Sequence, residues 1–307
     1  MPSDWPARIC PPTWRDATQH SSVCSQPPKT DVRKVLPARR PVLAVLAAGW
    51  FCLPAAAQEP ASFKDCSDCP EMLVIPPGRF IMGSARGHEN EQPEHQVSLA
   101  KPFALARFEV TFDDWQACVD AKGCSRQPDD HQWGKGRRPV MNITFDDVTQ
   151  YLTWLSQKSG KRYRLPSEAE WEWAAKGGVE TPYPWGDRME EGRANCRECG
   201  AKPFGGFSSA PVGSYPPNGY GLYDMAGNVW EWTQDCWHPD HQGASPEGRP
   251  RGPEAQPLPG LSSCMARVMK GGAWYYYAPM ARPQARARND SRVFSYVLGF
   301  RPARDLD

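Results

Sequence analysis

Turn-forming and aromatic residues dominate this chain and limit how much regular structure it can form. The 307 residues include 33 prolines, 26 glycines and 13 tryptophans. Proline and glycine favour turns and irregular backbone, and tryptophan provides large apolar surfaces that can brace such backbone. The composition therefore predicts an α+β domain with short elements and much irregular chain. A formal net charge of +1 gives no indication of a nucleic-acid partner.

The N-terminal region contains the three parts of an export signal. Arg39 and Arg40 precede an apolar run over residues 42–53, and Ala55–Ala57 form an A-x-A site. We expect a signal peptide over residues 39–57, a periplasmic or secreted protein, and no stable membrane insertion after cleavage, because spanning needs about 20 apolar residues. The alternative is a buried core helix. We expect residues 1–38 to be disordered or to precede the true start, and residues 58–307 to form a single domain.

Capping signals predict three helices in this domain. Each begins with a hydroxyl residue followed three positions later by an acid: Thr111 with Asp114, Thr144 with Asp147, and Ser167 with Glu170. Glycines at 123, 160 and 177 are expected to close them. Apolar runs on either side of Pro76-Pro77-Gly78 predict a β-hairpin formed by residues 72–75 and 80–82. Residues 103–110 form a further candidate strand.

Eight cysteines remain after the expected cleavage, and an even number in an exported protein indicates disulfides. We predict the pairs Cys66–Cys69, Cys118–Cys124, Cys196–Cys199 and Cys236–Cys264. Eight cysteines allow 105 connectivities. The two C-x-x-C pairs could alternatively form a zinc site with four cysteine ligands. His238 and His241 are a further candidate metal pair without an obvious third ligand.

Two segments near the C-terminus carry candidate binding residues. Asp224 and Glu231 place two carboxylates around a tight turn, which suits calcium or, alternatively, an ordinary surface turn. Trp274 and Tyr276 precede Arg282, Arg286 and Arg288. Stacking surfaces and planar guanidinium groups together indicate a ligand pocket, although core aromatics with internally paired arginines would give the same pattern.

Three motifs resemble the formylglycine-generating enzyme family, also called sulfatase-modifying factors: RLPSEAEWEWAA at Arg164–Ala175, GNVWEWT at Gly227–Thr233, and the segment Lys270–Arg301. The resemblance covers residues 70–304. It implies the family's irregular mixed fold, which is related to C-type lectins and has little regular secondary structure. It also implies that the segment from Trp274 to Arg288 lines a groove for a substrate peptide.

The resemblance further implies one calcium site, held by the side chains of Asp224 and Glu231 and the carbonyls of Gly227 and Val229. A second site would use Asn195 and the carbonyl of Cys196. Gly205 stands where the family has an aspartate at that second site, so we expect it to be weak or empty.

The family's oxidases bind copper(I) with two cysteines in the segment that corresponds to Ala273–Arg288, and this chain has none there. Tyr276 and Ala281 stand near their places. We therefore expect no copper. We expect a binding module that is braced by calcium and takes a peptide or small molecule, or an exported partner protein, as its ligand. One alternative is a periplasmic enzyme that acts without the cysteine pair, as relatives that finish a siderophore chromophore do. Another is a true formylglycine-generating enzyme that uses reduced Cys236 and Cys264.

Overall fold

The computed structural model describes residues 61–253 and 264–306. The predictions for residues 1–38 and 39–57 lie outside these ranges. Within them, no helix is long and apolar enough to cross a membrane.

Short elements joined by long irregular segments make up the fold. Three helices are present in the described ranges: α1 (Phe112–Asp120), α2 (Phe145–Ser159) and α3 (Glu168–Lys176). The strands are β1 (Ser62–Phe63), β2 (Met72–Ile75), β3 (Gly78–Met82), β4 (His95–Leu99), β5 (Phe103–Ala106), β6 (Tyr163–Arg164), β7 (Trp230–Cys236), β8 (Ala266–Lys270), β9 (Arg286–Asp290), β10 (Leu298–Gly299) and β11 (Ala303–Asp305). Two 3-10 turns cover Glu89–Glu91 and Ala278–Ala281.

The strands form three sheets. A five-stranded sheet has the order β1-β2-β5-β11-β6, a four-stranded sheet the order β10-β7-β8-β9, and β3 pairs with β4. Among the pairs of strands named here, only β10–β7 is parallel. The α+β prediction with little regular structure is confirmed.

All three predicted helix starts are confirmed. Thr111, Thr144 and Ser167 each accept a hydrogen bond from the backbone N–H three residues on, and the acid at that position reaches back to the cap. Gly160 and Gly177 close α2 and α3 in the left-handed conformation. Helix α1 instead ends at Asp120, before Gly123, and its chain turns at Lys122, where φ is +59°.

The predicted hairpin around Pro76–Gly78 is wrong. Both strands exist, but β2 pairs with β1 and β5, whereas β3 pairs with β4 in another sheet. The indole N–H of Trp173 donates to the carbonyl of Pro76 at 2.9 Å. A Cβ on Gly78 would lie 2.5 Å from the Trp173 ring. These contacts with Trp173 of α3 separate β3 from the sheet that contains β2. The hairpin prediction used only the local turn signal.

Aromatic side chains form the centre of the core. Trp115 of α1 stacks on Tyr151 of α2 with 5.7 Å between ring centroids, and the edge of Phe300 packs against both rings. Trp230 and Trp232 of β7 are fully buried in the same cluster. These large rings provide the apolar area that the short elements cannot provide by themselves.

The four predicted disulfides are confirmed: Cys66–Cys69, Cys118–Cys124, Cys196–Cys199 and Cys236–Cys264. A zinc site with four cysteine ligands would need thiolates from both C-x-x-C pairs, and here each pair is joined to itself. The bridge between Cys236 and Cys264 joins the end of β7 to the start of β8.

Candidate functional site

An aromatic surface forms where the chain leaves β8. Gly271 and Gly272 have φ of +97° and +73°, and a Cβ on Gly272 would lie 2.7 Å from the carbonyl oxygen of Met280. Only glycine fits this sharp turn. The turn presents the following aromatic residues next to a second loop. We call the resulting surface the aromatic platform, formed by His131, Trp133, Trp274, Tyr275, Tyr277 and Tyr296.

Five rings of the aromatic platform contact one another, and the sixth, Tyr277, is connected to them through Arg197. Trp274 is buried and lies 5.1 Å from Trp133 and 5.9 Å from Tyr296 between ring centroids. Tyr275 and Tyr277 remain 46% and 48% exposed. The Arg197 guanidinium lies over both of these tyrosines, at 5.7 and 5.0 Å from their centroids. The platform therefore offers exposed π-faces on a buried, preorganised base.

A cavity of about 420 Å³ lies beside the aromatic platform and shares His131 and Tyr296 with it. Arg126, Asp129 and Asn142 provide polar groups in its wall. The amide of Asn142 donates to the carbonyl of Asp129 at 2.8 Å, which joins two walls of the cavity. Phe294 and Tyr296 add aromatic surface to these polar groups, and ligand sites combine aromatic surface with a few polar groups that orient the ligand.

The backbone next to this cavity is strained. His131, Gln132 and Asn142 have φ of +53°, +61° and +60°, in the left-handed region. Such conformations cost of order 1 kcal/mol or more for non-glycine residues and cluster at functional sites. The edge of the His131 ring packs against Tyr296 with 5.0 Å between centroids, so the strained turn positions an imidazole at the cavity.

The five residues predicted to share one groove are not brought together. Trp274 belongs to the aromatic platform, and Tyr276 lies partly buried beneath it with its ring edge-on to Trp230 at 5.6 Å. Arg282 binds the buried carboxylate of Glu91 at 2.7 and 2.9 Å and lines a different cleft.

The other two arginines of that set lie away from the platform. Arg286 is in the core, where it binds Glu168 at 2.8 Å and the carbonyl oxygen of Asn90 at 2.8 Å. Burial alone would raise the pKa of Glu168, but Arg286 and Lys270 lower it to about 2. Arg288 lies over Trp237 at 5.8 Å. Internal pairing of the arginines was the alternative interpretation, and it describes Arg282 and Arg286.

Tyr276 and Ala281, which we expect near the positions of the family's cysteine pair, provide no sulfur ligand. The Tyr276 carbonyl accepts from the backbone of Arg197 at 2.8 Å, and Ala281 is buried against the Cys196–Cys199 bridge. Cys236 and Cys264, the alternative source of thiols, are joined to each other.

Glu231, one of the two predicted calcium ligands, is fully engaged by protein donors. Its carboxylate accepts from the Arg301 guanidinium at 2.7–2.9 Å and from the indole N–H of Trp171 at 2.7 Å. All three side chains are buried. The acid therefore has a structural role with or without a metal ion.

Asp224 has the free oxygen of the pair. Its Oδ2 accepts from the backbone of Gly213 at 2.7 Å, whereas Oδ1 is buried with no hydrogen-bond partner. Burial raises the pKa of Asp224 to about 6. An unpartnered, desolvated carboxylate oxygen is a suitable ligand for a hard cation.

A third buried acid, Glu109, faces the same region and was missed from the sequence. It accepts from the Asn228 amide at 2.7 Å and from the backbone of Val229 at 3.2 Å. Burial, together with the charges of Asp224 and Glu231, raises the pKa of Glu109 well above its ordinary value. Its only signal was an acid inside the apolar run of residues 103–110. Three carboxyl groups thus surround the single guanidinium of Arg301.

The backbone residues of the predicted calcium site pack tightly. Gly227 donates to the carbonyl of Gly271 at 2.7 Å, and a Cβ there would collide with the carbonyl of Asn195. The predicted calcium site has four oxygen donors, namely the carboxylates of Asp224 and Glu231 and the carbonyls of Gly227 and Val229. Within the described ranges, no three His, Cys, Asp or Glu side chains are arranged to hold a metal.

The predicted second site is closed at Gly205. A Cβ at this position would lie 2.5 Å from the carbonyl of Cys196, so the backbone leaves no room for the aspartate side chain without a shift. Asn195 retains a buried Oδ1 without a partner. The candidate histidine pair does not converge either, because His238 binds the carbonyl of Gly252 and His241 packs on His95.

This chain is similar to known proteins in both sequence and fold. The family described as "Sulfatase-modifying factor enzyme 1-like domain" matches residues 57–306. The formylglycine-generating enzyme of Streptomyces coelicolor is 32% identical over 314 residues, covering 83% of this chain and 95% of that enzyme. The "Inactive C-alpha-formylglycine-generating enzyme 2" of Mus musculus is 30% identical over 292 residues, covering 76% and 85%. The structure of PvdO from Pseudomonas aeruginosa matches with a TM-score of 0.72 and 35% identity, covering 82% of this chain and 100% of that chain.

Proposed function

Because the chain belongs to the sulfatase-modifying factor enzyme 1-like domain family, we propose that it uses the family's scaffold as an exported binding module without copper oxidase activity. The observation that carries this proposal is the absence of cysteine between Ala273 and Arg288, where the resemblance implies two thiolates, with Tyr276 and Ala281 near their places. Copper(I) selects soft sulfur ligands, whereas a phenol is a hard donor and a methyl group is no donor. One mouse relative is named inactive, which supports the proposal that a protein with this fold can lack the oxidase activity.

The ligand of this module is a peptide or small molecule that carries an aromatic group. Tyr275 and Tyr277 expose π-faces on a rigid base, and the Arg197 guanidinium already occupies one side of each ring. Offset or edge-on contacts between aromatic rings contribute about 0.5–1.5 kcal/mol beyond their buried area. The adjacent cavity adds polar groups that orient the ligand.

A titration with short peptides tests this function. Tyrosine-containing hexapeptides and matched alanine peptides are titrated into the protein while tryptophan fluorescence is recorded. We expect the tyrosine peptides to bind, and the double variant Tyr275→Ala, Tyr277→Ala to bind them at least tenfold more weakly. Phe207→Ala is the control, because Phe207 is 77% exposed and lies outside the platform. Equal binding of both peptide sets, or equal loss in the control, would contradict the proposal.

Calcium is the cofactor of this proposal: the free Oδ1 of Asp224 and the carbonyls of Gly227 and Val229 would bind it, and Glu231 would join them by exchanging a hydrogen bond from Arg301 or Trp171. The buried Oδ1 of Asp224 and the excess of carboxylates around Arg301 support it. A bound Ca²⁺ would offset this negative charge and brace the turn before β7. Export is part of the same proposal, and four disulfides fit an oxidising compartment.

A second candidate function is an enzyme that acts without the cysteine pair, for example in maturing a secondary metabolite. The imidazole of His131, held at the cavity wall by a backbone in the left-handed region, supports it, because histidine is the commonest general acid or base in enzymes. Under this function, His131→Ala removes turnover. Under the binding function, no turnover depends on His131.

A further inference from the structure

A second groove lies between α2 and the strands β6–β8, and we call it the α2 groove. It is lined by residues of all four elements, among them Phe145, Leu152, Tyr163, Gln234 and Arg267, and its volume is about 450 Å³. It shares no lining residue with the cavity at the aromatic platform. Whatever binds here is therefore separate from the proposed platform ligand.

The floor of the α2 groove is apolar and its rim is polar. Leu152, Leu165 and Tyr163 are buried in the floor. The hydroxyls of Thr149, Thr153 and Ser156 each donate to a helix carbonyl four residues earlier, at 2.7–3.0 Å. Because these hydroxyl hydrogens are already donated, the three hydroxyl groups can only accept hydrogen bonds from a ligand and do not attract an anion.

One end of the groove holds a cation without an anionic partner. The Arg267 guanidinium lies over the Phe145 ring at 4.0 Å, and its Nη1 donates to the carbonyl of Gln234 at 2.7 Å. Its Nε is buried without an acceptor, and the described residues provide no ion pair to this side chain. Stacking and one fixed hydrogen bond hold the guanidinium in place.

The nearest acids do not neutralise this charge. Asp235 is buried, and its two oxygens accept from the backbone N–H groups of Glu168 and Arg251 at 2.7 and 2.8 Å. Asp146 lies in the exposed first turn of α2. Burial lowers the pKa of the Arg267 guanidinium, because little around it compensates the lost hydration. A guanidinium fixed in this way is preorganised for a planar carboxylate.

We propose that the α2 groove binds an amphiphilic carboxylic acid, with the carboxylate on Arg267 and the apolar body along Leu152 and Leu165. The charge of Arg267 selects an anion, and the terminal guanidinium N–H groups that Gln234 leaves free can donate to a carboxylate. The apolar floor selects a ligand with a hydrocarbon or aromatic body. Gln234, which is partly exposed, lines the same end of the groove.

A matched pair of probes tests this site. 4-Phenylbutyrate and its uncharged amide are titrated into 15N-labelled protein, and chemical-shift changes are followed. We expect the acid to shift signals of α2 and of β8, and to bind at least tenfold more tightly than the amide. Arg267→Gln should weaken binding of the acid at least tenfold. Arg292→Gln, which removes an exposed arginine paired with Asp290, should leave it unchanged.

A groove-filling variant covers the case in which Arg267→Gln does not fold. Thr153 is exposed on α2 and lines the groove, so Thr153→Tyr should block the acid without affecting the core. Gln116→Tyr places the same ring at an exposed position of α1 and should have no effect. Equal binding of acid and amide overturns the proposal, as does binding unaffected by Thr153→Tyr. The proposal is also overturned if the wild-type protein does not bind the acid and Thr153→Tyr differs from wild type in oligomeric state. The groove would then contact a second copy of the chain.

Discussion

At the residue scale, three buried carboxyl groups and one buried guanidinium determine which residue of the predicted calcium site is free to bind a metal ion. Glu109, Asp224 and Glu231 surround one guanidinium, that of Arg301. Glu231 is held by that guanidinium, whereas Asp224 has an oxygen without a partner. The two predicted ligands therefore need different experiments, because only Asp224 can report on a metal without disturbing the ion pair.

Asp224→Asn is the variant that isolates calcium. Asparagine has the same shape, can still accept from Gly213, and tolerates the φ of +58° at this position. We expect calcium to raise the melting temperature of the wild-type protein and to have no effect on Asp224→Asn. A ligand that binds only the native state stabilises it by about 2.7 kcal/mol at 100 times its Kd. A wild-type melting temperature that is the same in calcium and in excess chelator would argue against the site.

The raised pKa of Asp224 gives a matching pH dependence. Its folded value is about 6, above the ordinary 3.8, so the unfolded chain releases this proton first as the pH rises. The contribution of Asp224 to stability is thus intact below pH 4 and lost between about pH 4 and 6. In chelator, we expect the stability of wild type relative to Asp224→Asn to fall across this window. A flat difference would show that the carboxyl is not desolvated as the structure indicates.

Glu231→Gln should destabilise the protein whether or not calcium is present. It leaves the fully buried Arg301 without its carboxylate, and removing one partner of such a pair costs about 3–5 kcal/mol. Asp290→Asn, which breaks an ion pair at the surface with Arg292, should cost less than about 1 kcal/mol. Urea unfolding of both variants in chelator makes the comparison. Similar losses in the two would contradict the structural role of Glu231.

At the element scale, local signals were predictable and long-range ones were not. The capping boxes at Thr111, Thr144 and Ser167 depend on contacts within four residues, and all three formed. The strands around Pro76–Gly78 also formed, but their partners depend on Trp173, almost 100 residues away in the sequence. A turn signal specifies where the chain bends, and not which strand it pairs with.

The same limit applies to the candidate site. Asp224 and Glu231 could be identified because seven residues of one turn bring them into a single region. Glu109 joins them only through contacts 119 and 120 residues away, to Asn228 and Val229. The role of Arg286 depends on Glu168, which is 118 residues away. Sequence reasoning thus identified candidates and could not tell an exposed arginine from a buried one.

Among the elements, the bridge from β7 to β8 should contribute more stability than the shorter loops. Closing a loop of 28 residues removes about 3.6 kcal/mol of chain entropy from the unfolded state on the loop-entropy scale, against about 2.2 kcal/mol for a separation of 6. Urea unfolding of Cys236→Ser/Cys264→Ser and of Cys118→Ser/Cys124→Ser tests this order. The first pair should lose about 1 kcal/mol more, and the reverse order would contradict the loop argument.

At the scale of the whole molecule, our account is that the family's fold can form without the cysteine pair that carries its redox chemistry. The family's fold spans the described chain, with its aromatic core and its capped helices, and in our proposal Tyr276 and Ala281 stand near the positions of the family's cysteines. The eight cysteines of the described ranges are all in disulfides. Nothing in the core depends on a thiolate at either position, because Ala281 is packed against a disulfide and Tyr276 against Trp230. The fold can therefore persist without the copper centre.

The most direct test of this separation is a formylglycine assay. Purified protein is incubated with copper(I), oxygen and a peptide that carries the sulfatase Cys-x-Pro-x-Arg motif, and mass spectrometry follows the substrate cysteine. The formylglycine-generating enzyme of Streptomyces coelicolor serves as the positive control. We predict that the control converts the peptide and that this protein leaves its sulfur in place. Conversion that also persists in the Cys236→Ser/Cys264→Ser variant would contradict the account, because the chemistry would then need a metal site other than the missing cysteine pair.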